Sequence, residues 1–316
     1  MAWIDSLYET AIWDVIRNGY RYPDPNREGV NRFEIPSYTF RYELEDKELP
    51  IITLRKIFYK GAINELICFL NGFTDVKEYW KRGVNFWDKD VANFNNTSVE
   101  ELRANPEAKT DMGAIYPFQW RNPESDQIAK LIYTMVNNPM STSLIVNSWD
   151  HKQLKNMCLP PCHYSFQIIC FPSEKHGYEF ELHWAQRSTD LYLGFPTNIV
   201  FYTVLCKLLE LFTGYKAKAV VGDLKNVHLY DNQYSAATEI SLRNPFVHKA
   251  ATLEIQEELK NMLENSNAII KSMDYNSFIT FLNVVLGLLT DEMFQVNNYE
   301  SHPALKVEML AHTIDK

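Results

Sequence analysis

The 316-residue chain is 46% hydrophobic and carries a formal net charge of −9. That is apolar enough for the packed core of one large domain or two small ones, and too acidic for a general grip on nucleic acid, which needs a basic face to displace phosphate counterions. Five cysteines, Cys68, Cys158, Cys162, Cys170 and Cys206, in a chain with no export signal predict free thiols rather than a disulfide framework, and no stretch approaches the ~20 apolar residues of a membrane helix, so a cytoplasmic protein away from membranes is expected.

In chain order, Ser6 and Glu9 form a capping-box pattern, and Leu7, Tyr8, Ala11, Ile12, Val15 and Ile16 recur at helical spacing up to Gly19. Residues 33–44 alternate as a strand, 50–54 form a second extended apolar segment, and 57–70 read as a helix closed by Gly72. Residues 91–111 are polar, with a second capping pattern at Ser98 and Glu101, and read as a surface insertion. A helix at 124–137 precedes strands near 144–149, 164–172 and 178–188. A long apolar helix at 197–212 follows; strands at 216–230 and 276–283 then bracket a helix at 251–264. Strands and helices mix without a regular βαβ rhythm, which predicts an α+β class, and no repeat or Pro/Gly/Ser linker divides the chain, which predicts a single domain.

No GxGxxG or Walker-type motif is present, so nucleotide chemistry of the dinucleotide-fold or P-loop kind is excluded. Cys158 and Cys162 with His151 and His163 lack a second paired half for zinc, and no metal is expected. In Leu159-Pro160-Pro161-Cys162-His163 two prolines fix the backbone before a strand and present a thiol. That thiol is a nucleophile or a buried structural cysteine. Downstream, Gln186-Arg187-Ser188-Thr189-Asp190 and Gly194-Phe195-Pro196-Thr197-Asn198 put an arginine, a carboxylate and an amide in one strand-to-helix unit. An arginine can hold a phosphate and depress a thiol's pKa, and an amide can donate to a uracil carbonyl while accepting from its N–H. The alternatives are a surface ion pair between Arg187 and Asp190 and a helix cap at Asn198.

These segments, with Asn64-Glu65-Leu66, Phe86-Trp87-Asp88, Gly113-Ala114-Ile115-Tyr116, Gln119-Trp120-Arg121, His228-Leu229-Tyr230 and His302-Pro303, run in order over most of the chain and resemble the thymidylate synthase family, including its bacteriophage deoxypyrimidine nucleotide hydroxymethylases. The resemblance implies a large mixed β-sheet flanked by helices, a two-fold homodimer, and a reaction in which Cys162 adds to C6 of a pyrimidine deoxynucleotide so that C5 attacks the one-carbon unit of 5,10-methylenetetrahydrofolate. It further implies that Glu65 acts through ordered water, that Tyr116 and His163 line the proton-transfer site, that Asn198 reads a uracil base, that Gln186 is among the substrate-binding residues, and that His228 and Tyr230 hold the sugar. Arg27, Arg187 and Ser188 would take the phosphate, while Trp87, Asp190 and Gly194 would face the folate.

Three departures bear on the reaction. Thr142 and Ser143 stand where the family has two arginines that reach across the dimer to the phosphate, removing two positive charges. Asp90 stands in place of a second tryptophan beside the folate, and the chain runs on through 312–316, past the point where typical members end in a carboxylate used for closure. The covalent adduct ends as a methyl group if hydride from the folate arrives and as hydroxymethyl if water does. Asp90 and the altered tail predict a wetter site and lean the expectation to dUMP hydroxymethylation, with thymidylate synthesis as the alternative and a turnover-deficient nucleotide- or RNA-binding relative as the alternative of another class.

Overall fold

The computed structural model describes residues 3–25, 27, 29–246 and 250–310. The segment 312–316 and Ala311 therefore lie outside the described residues. The chain opens with α1 (Trp3–Asn18), then β1 (Tyr20–Pro23) and β2 (Asn31–Glu43). Helices α2 (Tyr59–Leu70), α3 (Val76–Trp80), α4 (Asp88–Phe94), α5 (Val99–Ala104) and α6 (Tyr116–Trp120) follow, then the two-residue strands β3 (Arg121–Asn122) and β4 (Ser125–Asp126) and helix α7 (Gln127–Asn137). The centre comprises β5 (Ile145–Asn147), β6 (His163–Ser173), β7 (Gly177–Gln186), β8 (Thr189–Asp190), α8 (Phe195–Thr213) and β9 (Lys216–Tyr230). The chain closes with α9 (Asp231–Ile240), β10 (Thr252–Ile255), α10 (Glu257–Met262), α11 (Ser266–Ser272), α12 (Tyr275–Gly287) and β11 (Phe294–Asn297).

The main sheet has the order β1-β2-β9-β7-β6-β5, with β8 also on β9. Its neighbours are antiparallel except β7 and β8, which run parallel to β9. This is the mixed sheet and α+β class expected. The parallel step needs a crossover, and α8 supplies it. In β6 and β7 the inward residues Phe166, Ile168, Cys170, Phe180, Leu182 and Trp184 are buried, while Ile169 on the other face is 43% exposed. The inward face joins α1, α2 and α8 in one contiguous hydrophobic cluster.

Several local expectations change. The first helix begins at Trp3, so Ser6 lies inside it, where its carbonyl accepts Thr10 Oγ1 at 2.7 Å. The 50–54 segment is buried but pairs with no strand; Thr53 is instead held by Asp5, whose carboxylate takes its N–H and its hydroxyl, both at 2.7 Å. The segment 276–283 is helical: Asp274 accepts from the N–H groups of Asn276 and Ser277, and Phe278, Leu282, Val285 and Leu286 fall on one buried stripe. Short β-branched runs fit either periodicity, and here the cap decides. The 251–264 segment divides into β10, paired with β11, and α10. Within 91–111 the second capping pattern holds, with Ser98 accepting from Glu101 N–H at 3.0 Å, but Val91, Ala92 and Leu102 are buried, so the segment is only partly a surface excursion. Helix α8, at 19 residues, does reach membrane-spanning length and apolarity, contrary to expectation; 78% of its apolar window is buried in this protein's own core.

The turn before α6 depends on Gly113. Its φ is +75°, and a Cβ there would stand 1.9 Å from the Asn156 carbonyl oxygen. Gly113→Ala is expected to lower unfolding free energy by about 2 kcal/mol or more, from left-handed strain plus a backbone collision. A denaturant titration beside the unsubstituted chain tests this; an unchanged midpoint would rule out the strain.

Candidate active site

Cys162 is clamped from both sides through its backbone. Its N–H donates to Tyr116 Oη at 2.6 Å, and its carbonyl accepts Arg187 N–H at 2.8 Å. Three elements therefore meet at one residue: α6 brings Tyr116, the end of β7 brings Arg187, and the Pro-Pro step leads into β6. The Arg187 side chain completes the clamp, with Nε on the Pro161 carbonyl at 2.9 Å and Nη2 on the Pro160 carbonyl at 2.8 Å, leaving Nη2 4.0 Å from Cys162 Sγ. Burial pushes the Cys162 thiol above its ordinary pKa; Arg187 pulls it down and Asp90 pushes it up. The expected depression by Arg187 is thus present but outweighed, because desolvation of a thiolate is the larger effect.

Behind the thiol lies an aromatic wall. Tyr116 stacks on His163 at 4.4 Å, and His163 Nδ1 lies 2.7 Å from Tyr202 Oη. Burial lowers the His163 pKa to about 3, so the imidazole is neutral near neutral pH, and burial likewise drives Tyr116 well above 10.0. Neither group ionises near pH 7, and both are suited to holding water or passing hydrogen bonds. Glu65, on α2, accepts the Trp87 indole N–H at 2.9 Å. Burial raises Glu65 to about 7, with the Trp87 bond pulling the other way, which leaves its carboxyl poised between acid and base.

The opposite side of the cleft gathers the remaining residues. Asn198 is in the first turn of α8, its own N–H bonded to the Gly194 carbonyl at 2.9 Å, so it is not the cap; its Oδ1 accepts Gln186 Nε2 at 3.4 Å. Gln186 Nε2 also reaches the Ser188 carbonyl at 3.0 Å. Gly194 cannot carry a side chain without crowding, since a Cβ would sit 3.0 Å from the Asp190 carbonyl oxygen. Arg187 and Asp190 do not form the surface ion pair: Asp190 Oδ1 accepts the Tyr192 and Leu193 N–H groups at 3.0 and 2.8 Å, and its Oδ2 accepts Gln233 Nε2 at 2.9 Å. Asp190 pairs across the sheet with His228, whose ring lies 4.8 Å from that of Tyr230. Arg27 in turn sits 4.7 Å over the Tyr230 ring.

Among the buried polar atoms of the described residues that lack a protein partner are His228 Nε2 and Arg27 Nε. His228 Nδ1 lies 2.7 Å from the Asn226 carbonyl, an acceptor, so the proton is on Nδ1 and Nε2 offers a lone pair. Buried polar atoms without partners are rare, and these two fit a hydroxyl donor and an anion respectively. Cys162, Tyr116, His163, Arg187, Glu65 and Trp87 are linked by these contacts, as are Asn198 with Gln186 and Asp190 with His228, Tyr230 and Arg27, whereas Thr142 and Ser143 are exposed in the turn before β5. Three contributors went unrecognised. Tyr202 follows Asn198 by one helical turn and was findable from that spacing; Gln233, which also accepts Tyr230 N–H at 3.1 Å, and Lys89, which binds the tail, gave no local signal.

Because Glu65 titrates at about 7 rather than 4.5, the folded protein binds its proton more tightly than the unfolded chain, and this group's contribution to stability falls as pH rises through that window. His163, lowered from 6.5 to about 3, acts with the opposite sign below pH 6.5. The stability difference between Glu65→Gln and the unsubstituted chain isolates the first effect, and should shift in favour of Glu65→Gln between pH 4.5 and about 7; a pH-independent difference in thermal unfolding would contradict it.

The family model for thymidylate synthase matches residues 6–311. The chain is 34% identical to the thymidylate synthase of Malacoplasma penetrans (strain HF-2), over 85% of this chain and 96% of that protein. It is 29% identical to the thymidylate synthase of Homo sapiens, over 96% and 89%, and 29% identical to the probable thymidylate synthase of Escherichia phage T5, over 96% and 98%. With a clamped thiol, a near-neutral carboxyl and an aromatic wall in one cleft, and a family match across nearly its whole length, the chain belongs to the thymidylate synthase family and is a one-carbon transferase whose donor is 5,10-methylenetetrahydrofolate.

Proposed function

We propose that the enzyme methylates C5 of dUMP reductively, producing dTMP and dihydrofolate, with residues 6–311 acting as one catalytic unit. The observation that carries this choice of product is Trp87, only 7% exposed, tied to Glu65 and set 5.9 Å from the Tyr116 ring. This wall flanks the thiol and favours exclusion of water from the carbon on C5. The names of the relatives above support the same product. Asp90 favours a second reading, hydroxymethylation, because a carboxylate at the cleft, felt by Cys162, recruits water.

In this reading Cys162 Sγ bonds to C6 of the uracil as its proton leaves, with the Arg187 guanidinium beside the developing thiolate. Asn198, its Oδ1 met by Gln186, reads the base; His228 Nε2 accepts from the sugar hydroxyl beside Tyr230; and Arg27, Arg187 and Ser188 take the phosphate. Glu65 exchanges protons with ordered water over the ring, and neutral Tyr116 and His163 orient the water that removes the C5 proton. Methylenetetrahydrofolate, placed against Trp87, Asp190 and Gly194, supplies the carbon and the hydride. Without arginines at 142 and 143 the phosphate is held by fewer charges. A two-fold dimer through the outer sheet face is part of this reading, supported by Ile145 and Ile169, 47% and 43% exposed there. A cytoplasmic setting is also part of it. Identity to the phage T5 and human proteins is equal at 29%, which favours neither a phage nor a cellular source.

Incubation with dUMP and methylenetetrahydrofolate should give dTMP by mass and dihydrofolate by absorbance; 5-hydroxymethyl-dUMP without dihydrofolate would transfer the case to the second reading. Cys162→Ala should abolish both products, and retained turnover would refute covalent attack. Asn198→Asp should lower kcat/KM for dUMP by about tenfold to a hundredfold, the cost of one mispaired buried hydrogen bond, and improve dCMP relative to dUMP; an unchanged ratio would remove Asn198 from base reading.

A further inference from the structure

Residues 305–310 have no regular secondary structure, and their backbone is held by side chains from four places. Tyr192 Oη donates to the Leu305 carbonyl at 2.9 Å, Asn232 Nδ2 to the Glu308 carbonyl at 3.0 Å, Lys89 Nζ to the Met309 carbonyl at 2.8 Å, and Arg27 Nη2 to the Leu310 carbonyl at 3.4 Å. Lys89 makes a second bond, to Glu308 Oε1 at 2.8 Å. Lys89 stands two residues after Trp87, on α4, whose N-cap is Trp87, so the ring that packs on Tyr116 and the ammonium that holds the tail sit at the start of one short helix.

We propose that Lys89 is the positioning residue that sets the enzyme's product, by fastening the tail at Glu308 and Met309 across the cleft mouth and so keeping water from the exocyclic methylene. The proposal rests on the methylation reading and names what enforces it. The methylene on C5 of the Cys162-bound nucleotide has two exits. In one, hydride from tetrahydrofolate forms the third C–H bond, the displaced electron pair expels the Cys162 thiolate, and the folate leaves oxidised to dihydrofolate. In the other, water forms a C–O bond, its proton passes to solvent, the thiolate leaves, and the folate stays reduced. Both exits share the same adduct, so a loosened tail changes their ratio without changing adduct formation. The lysine has the chemistry for this: one ammonium satisfies a backbone carbonyl and a carboxylate together, and Lys89 and Glu308 are 36% and 75% exposed, so the clasp can open to admit ligands.

The test compares Lys89→Met, Glu308→Gln and Lys89→Arg with the unsubstituted enzyme, measuring the ratio of 5-hydroxymethyl-dUMP to dTMP by mass and trapping the covalent adduct with 5-fluoro-dUMP and methylenetetrahydrofolate. Lys89→Met loses both bonds and should raise the hydroxymethyl ratio about fivefold; Glu308→Gln should raise it less, and Lys89→Arg, which keeps donors and charge, should restore the original ratio. Adduct trapping should be undiminished in all, which separates the clasp from folding and from the thiol. An unchanged ratio in Lys89→Met with normal trapping overturns the clasp while leaving the methylation reading intact. Hydroxymethyl-dUMP as the main product of the unsubstituted enzyme overturns the methylation reading, and the clasp with it.

Discussion

The site depends on the two backbone hydrogen bonds of Cys162. A thiol at the floor of a cleft is useful only if its Sγ stands at a fixed height, and here the N–H is taken by Tyr116 and the carbonyl by Arg187 N–H. The first bond ties β6 to α6, and hence to the Gly113 turn; the second ties it to the end of β7. Through Arg187 Nε and Nη2 the two prolyl carbonyls before the thiol are fixed as well. Neighbouring elements can be repacked only if this junction survives.

Burial sets the charge states around that junction. The same desolvation that keeps His163 neutral and Tyr116 protonated raises Glu65 to about 7 and lifts the Cys162 thiol. A dry cleft therefore costs thiolate and gains a carboxyl that can both give and take a proton near neutral pH. Arg187 offsets part of the thiol's cost. Asp90 acts in the same balance, since its carboxylate opposes the thiolate.

In the proposed reaction the tail is the other half of water exclusion. Its carbonyls are taken one by one by Tyr192, Asn232, Lys89 and Arg27, contacts separated from it in sequence by between 76 and 283 residues. Arg27 thus has two claims on it, the tail's Leu310 carbonyl and, in the proposed reaction, the phosphate. In that reaction substrate entry and tail closure would share one guanidinium, which rests on the Tyr230 ring.

The sequence by itself determined what is local or repeated. Helical spacing delivered α1, alternation delivered β2, and β-branched and aromatic composition marked β6 and β7; two prolines before a cysteine, with an arginine, an aspartate and an amide downstream, pointed to most of the site. Tertiary structure decided the rest. Residues 276–283 are β-branched and apolar enough for a strand, and only Asp274 and the stripe Phe278, Leu282 and Val285 packed against the core make them a helix. The apolar run of α8 could serve a bilayer as well as a core, and its neighbours resolve the choice. Whether Arg187 and Asp190 pair, and whether a thiol beside an arginine is acidified, depended on partners distant in the chain, Gln233 for Asp190 and Asp90 and Arg27 for the thiol, and on how much water they displace. Spacing along the chain encodes periodicity; desolvation and long-range hydrogen bonds arise only once the chain has folded.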